Sequence, residues 1–188
     1  MINIDIRTQM RAIERSLDAL TKSARERVID IALNDVARKA SVEMRRRITA
    51  EYAIKASEVR SQIYVKNANA KQGRLWAEIE AFPRRRGKVS RNVILFSAKQ
   101  TRLGVTVRIK KSSGRKLIRH AFIANKGRTV FIREEDTPRL PIKPVETIDV
   151  PQMFNAGRIN SKVIAKIKRD LPSEVERMMA VAIEKGWT

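Results

Sequence analysis

Residues 23–50 read SARERVIDIALNDVARKASVEMRRRITA, and their spacing decides the fold. Ala24, Val28 and Ile31 recur at three- and four-residue steps, and Ala32, Val36, Ala40, Met44 and Ile48 continue on an adjacent stripe. That period belongs to one face of an α-helix, not to a strand. The stripe reaches back through Leu20, Leu17 and Ile13, and neither glycine nor proline occurs between residues 1 and 72. A helix is therefore expected over residues 8–50. The stripe drifts near Thr21–Ser23, which splits the stretch into one helix or two, and Ser23 with Glu26 has the spacing of a capping box. So long an apolar face needs a sheet or a neighbouring subunit to cover it.

Beyond Ser57, which opens a short helix SEVRSQI, the period changes. IYVKNA, RLWAEIEAF, NVILFSA and GVTVRIK alternate or run apolar over strand lengths, punctuated by Gly73, Pro83, Gly87, Gly104 and Gly114. AFIA and TVFIRE add two short strands around the turn NKGR, where Gly127 can take positive φ. The segments KKSSGRK (110–116) and FPRRRGKVSR (82–91) read as basic loops at strand ends, the first as a mobile hairpin tip. Phe82, Phe96, Phe122 and Phe131 fall in apolar strand contexts and are expected in the core.

Residues 138–151 hold Pro138, Pro141, Pro144 and Pro151, four of the six prolines, so an extended arm is expected and helix is not. From Arg158 the helical period returns through Ile159, Val163, Ile167, Leu171, Val175, Met178, Val181 and Ala182. Pro172 lies inside it, as a kink or as the first turn of a second helix. The fold class read from these patterns is α+β: a long N-terminal helix or two, a central antiparallel β-sheet, a proline-rich extended arm and a C-terminal helix. We read residues 1–188 as one domain, with a helical part at 1–56, a β-rich basic part at 57–137, the arm at 138–157 and a helical part at 158–188.

The charge is concentrated. The net charge is +21, and residues 81–133 hold 16 basic and no acidic side chains, whereas 134–188 hold 9 of each. A folded domain ordinarily intersperses the two signs, so the segment is expected to meet something anionic. With a single histidine, the charge hardly changes between about pH 5 and 8. Absence of cysteine removes disulfides, thiolate metal sites and cysteine nucleophiles. No apolar run approaches the ~20 residues of a membrane span. The opening MINIDIRTQM lacks the basic flank and apolar centre of a signal peptide, so synthesis in the cytoplasm is expected.

Little supports catalysis. His120, the only imidazole, sits in LIRHAFIA and reads as structural. No GxSxG, HExxH, P-loop or GxGxxG pattern occurs. Glu134, Glu135 and Asp136 form the one acidic cluster, a conceivable magnesium site but more simply a solvated turn, and Glu78 and Glu80 share a strand face near arginines. No catalytic, metal or cofactor residue is assigned. The basic region suits phosphate contact without base reading.

HAFIANKGRTVFIRE followed by PRLPIKPVETIDVPQMF resembles the C-terminal half of the tailed-phage minor tail protein Z family, the tail completion proteins of lambda-type phages. The pieces run in order: AFIA (121–124), a glycine turn, VFIRE (130–134), RLPIK (139–143), VPQMF (150–154) and an amphipathic helix; KASEVR (55–60) also fits, while the spacer PVETID lacks an expected glycine. The resemblance implies a non-enzymatic virion protein at the head-proximal end of the tail, acting in head–tail joining. It also implies a homo-oligomeric ring, tail-terminator and head–tail connector neighbours, and nonspecific contact with packaged DNA. A sequence-nonspecific DNA-binding protein is the alternative, and a small magnesium nuclease the third reading. The expected contacts to DNA or an acidic partner are Arg84, Arg85, Arg86, Lys88, Arg91, Lys110, Lys111, Arg115 and Lys116. The expected arm or subunit packing residues are Pro141, Ile142, Pro144, Pro151, Met153 and Phe154.

Overall fold

The computed structural model describes residues 17, 20–83, 90–133 and 140–187. The N-terminal part of the expected helix, Arg84–Arg86 with Lys88, the cluster Glu134, Glu135 and Asp136, and Pro138 lie outside the described residues. The mixed α+β class holds, but in place of one central sheet the described residues form four small antiparallel ones. The elements group into two compact units, one drawn from residues 1–44, 63–82 and 154–188, the other from 45–62 and 83–153.

Helix α1 (Lys22–Glu51) buries Val28, Ala32, Val36, Ala40, Met44 and Ile48 along the predicted stripe. Its cap is Thr21, not Ser23: the Thr21 carbonyl accepts from Arg25 N at 2.9 Å, and Thr21 Oγ1 lies 3.4 Å from Ala24 N. Ser23 falls inside the first turn, where its hydroxyl is not placed to cap.

In the first unit the C-terminal helix, numbered α4 in chain order (Gly157–Glu184), continues through Pro172 and buries Ile159, Val163, Ile167, Leu171, Val175, Met178 and Ala182. Lys39 Nζ reaches Glu174 Oε2 at 2.7 Å, Arg177 Nη2 reaches Asp35 Oδ2 at 3.4 Å, and the Arg27 guanidinium lies 3.9 Å over the Trp187 ring. These contacts pair rising numbers in one helix with falling numbers in the other, so α1 and α4 run antiparallel. Each buried aliphatic side chain contributes about 1.5–3 kcal/mol, against about 0–1 for an exposed ion pair, so the stripes hold the pair and the charges set its register. Strands β1 (Ile63–Lys66) and β2 (Glu78–Ala81) form a ribbon in this unit. One helical turn apart on α1, Asp30 accepts from Ala70 N at 2.8 Å and Asn34 exchanges hydrogen bonds with both backbone groups of Ala68, which anchors the ribbon's connection.

The second unit contains α2 (Ala56–Arg60), β3 (Ser90–Asn92), β4 (Lys99–Thr101), β5 (Gly104–Val107), β6 (Lys116–Arg119), β7 (Ala121–Ala124), β8 (Thr129–Arg133), β9 (Ile142–Pro144), β10 (Glu146–Ile148) and the first residues of α3 (Val150–Asn155). Sheets β4–β5–β6 and β7–β8–β9 enclose a core of Val93, Val105, Val107, Ala121 and Val130. Between β6 and β7, His120 turns the chain from one sheet to the next at φ 59°; it is exposed, a corner residue.

Three expectations change here. NVILFSA is not a strand: Val93–Leu95 is a 3-10 turn. Asn92 causes this, its Oδ1 accepting from Ile94 N and Val130 N while Nδ2 donates to Val130 O, so a side chain takes the place of ladder bonds. Of the four phenylalanines expected in the core, only Phe96 is fully buried; Phe82 is 40% exposed, and Phe122 and Phe131 are half-buried on an outer sheet face. The arm is extended only to Ile148, in β9 and β10, and then turns helical. Pro151 is tolerated because it occupies the first turn, where no intrahelical N–H is required.

Two outcomes follow from this packing. Gly104 has φ +146°, and a Cβ there would lie 2.1 Å from the Ile118 carbonyl oxygen. Gly104→Ala combines that clash with a conformation costing about 1–3 kcal/mol for other residues, so urea unfolding is expected to show a loss of at least that size. Burial pushes the Glu174 carboxyl up, but hydrogen bonds from Arg177 and Lys39 outweigh it and hold the pKa below the ordinary value. A depressed carboxylate gives stability that is present above its unfolded value of about 4.3 and is lost as pH falls through the lower folded value. Acid titration of thermal stability is expected to show this loss, and Glu174→Gln to flatten it.

Candidate interaction surface

Strand register sorts the basic side chains. In the β4–β5–β6 sheet, Gln100, Val105 and Ile118 face the core, while Lys99, Thr106 and Leu117 align on the other face, beside Thr101, Gly104 and Arg119. Lys99, Leu117 and Arg119 are exposed there. The segment lacks acidic residues, so the positions flanking these cations across the sheet are Thr, Gly and Leu. Among the described residues, Lys99, Lys111, Lys116, Arg119 and Lys126 have no carboxylate within ion-pair distance. Lys110 is half-buried and stands 3.9 Å from Glu51.

The 108–115 connection is tied down by its own arginines. Arg108 Nε donates to Ser113 O at 3.2 Å, and its Nη2 to Lys111 O. Arg115 Nε donates to Thr106 Oγ1 at 3.3 Å, and its Nη2 to Thr106 O at 3.1 Å and to Ser97 O. Lys111 N adds a bond to Glu51 O at 2.8 Å. A forked guanidinium satisfies several loop carbonyls at once, which a lysine cannot do. Lys111 and Arg115 are thus exposed on a loop braced by hydrogen bonds, and Lys116 is exposed at the start of β6.

Arg91 departs from the expected surface set. It is 4% exposed, its Nε lies 2.9 Å from Asp149 Oδ1, and its Nη2 lies 3.3 Å from Glu58 Oε2. A guanidinium enclosed and neutralised by its own chain has no face to offer a partner, so Arg91 is a structural residue. Its N–H groups are not aimed along these lines, so the contact is ionic rather than an aligned hydrogen bond. Asp149 also accepts from Gln62 Nε2 at 3.0 and 3.1 Å, and its Oδ1 from Val150 N at 2.7 Å. Gln152 Oε1 returns to Asp149 N at 3.1 Å, the reciprocal half of a capping box. Of the arm residues, Pro141, Ile142 and Pro144 are exposed at a sheet edge, Pro151 is half-buried, and Met153 and Phe154 are fully buried.

The described residues thus present a braced basic sheet face, and they contain no group of three or more His, Cys, Asp or Glu able to hold a metal ion. Among them no helix is long and apolar enough to cross a membrane. A family model described as prophage minor tail protein Z (GPZ) matches residues 7–185. The chain belongs to the minor tail protein Z family. Membership makes it a phage tail component with a structural role. No curated protein and no solved structure matches it.

The two classes of cation in this family member separate by stability. Arg91→Ala strands the Asp149 carboxylate in the interior and is expected to cost about 3–5 kcal/mol in urea unfolding. Lys116→Ala, on the exposed strand, is expected to stay within about 0.5 kcal/mol of the parent.

Proposed function

We propose that this chain completes the head-proximal end of the tail and takes part in joining it to the head, without catalysis. It acts there as an oligomer, its basic sheet face docking on an acidic surface of a neighbouring tail or neck protein or against packaged DNA. The observation that carries this is the pairing of family membership over residues 7–185 with cations on a sheet face that has no carboxylates of its own. Such a face steers encounter and orientation more than it adds affinity. Docking of such a face on an anionic partner weakens as salt rises.

A sequence-nonspecific DNA-binding role is the second reading, favoured by the exposure of Lys99, Lys111, Arg115, Lys116, Arg119 and Lys126. Duplex of random sequence then binds with an affinity that falls steeply with salt.

The double change Lys99→Glu and Arg119→Glu is expected to leave the melting temperature near the parent's. In a phage lacking its own copy, it should yield filled heads and tails that fail to join. Normal numbers of infectious particles from this variant would remove the basic face from assembly. Loss of joining with unchanged duplex binding would assign the face to a protein neighbour.

A further inference from the structure

The outer face of the β7–β8–β9 sheet carries a row that the basic face lacks. Register aligns Phe122, Phe131 and Pro144 across the three strands, with Arg133 and Ile142 in the next row. The inward positions are taken by Ala121, Ile123 and Val130 of the core, so these rings point the other way. The two ring centroids are 6.1 Å apart and tilted by 30°, and the Arg133 guanidinium lies 4.7 Å over the Phe122 ring. Ile142 is 37% exposed. At the β7–β8 turn, Lys126 and Arg128 are exposed.

We propose that this row is a stacking platform for unpaired nucleic-acid bases. Three features select that occupant. Aromatic faces and a guanidinium plane on an open sheet surface, flanked by cations, are what base stacking with phosphate neutralisation requires. Strands β7 and β8 lie within a segment that has no Asp or Glu, so a polyanion meets no repulsion from their side chains. Among the described residues no strand pairs with the far edge of β9, and Pro144 lacks an N–H there, which disfavours an added peptide strand. The platform binds through base faces and does not discriminate sequence. It is independent of where in the tail the chain sits, so it stands or falls apart from the head-joining role.

The test is fluorescence anisotropy of the full chain with a thymidine oligonucleotide, with a blunt random duplex and with an oligoglutamate peptide. Phe131→Leu keeps apolar bulk and removes the π face. It is expected to weaken oligonucleotide binding about tenfold while leaving duplex binding unchanged, and Phe131→Trp is expected to restore it. Phe122→Leu is a second probe on a different strand, with the same expected result, should Phe131→Leu lower the melting temperature. Parent-like oligonucleotide binding by the folded leucine variants overturns the proposal. So does equal loss on duplex, or loss confined to oligoglutamate, which would make the row a protein-docking face.

Discussion

The second unit depends on a buried ion pair. Asp149 is 1% exposed and Arg91 3% at the side chain, and around them meet a strand, a helix cap and the residues following α2. Taking two such charges out of water is expensive, and mutual attraction offsets the cost only when the geometry is tight and the remaining valences are filled. Here Asp149 is filled by Gln62 and by the Val150 amide, and Arg91 has a second carboxylate in Glu58. The pair fixes one register for β3 against β10, because a slip of one residue would separate the charges inside the core. Specificity of arrangement, more than net stability, is what such a device supplies.

With Arg91 withdrawn, the other described cations of the central segment lie outside the core, and the two sheets use them differently. On β4–β5–β6 they alternate with threonine and leucine, giving a face of diffuse positive potential. On β7–β8–β9 one arginine is stacked on a ring. The first arrangement responds to charge density, and the second to shape and planarity.

The sequence was most legible where structure is local. The α1 and α4 stripes obey the helical period over many turns, and Val28 through Ile48 and Ile159 through Ala182 are buried as that period requires, apart from the half-buried Ile31 and Val181. Strand positions were legible where alternation was clean, as in GVTV and TVFIR. NVILFSA misled because its apolar run says nothing of the Asn92 side chain that replaces the ladder. Arg91 misled because its partner is distant in the chain and reached only by folding. AFIA and VFI are apolar on both faces, so period alone could not say which face the phenylalanines take; the register puts both on the outer one. The proline run concealed a helix start because Asp149 and Gln152, read as part of an arm, are a capping pair.

Strand connectivity has a consequence for how the chain acquires its structure. Ribbons β4–β5 and β7–β8 join neighbours across short turns and β5–β6 across the 108–115 connection, so their contacts are local. The pairing of Ser90–Asn92 with Glu146–Ile148 is different, since it closes a loop that contains all of those hairpins. Loop-closure entropy opposes it until the hairpins exist and shorten the effective distance. Of the unit's strand pairings this seam is the one with the largest loop to close, and the Arg91–Asp149 contact lies beside it.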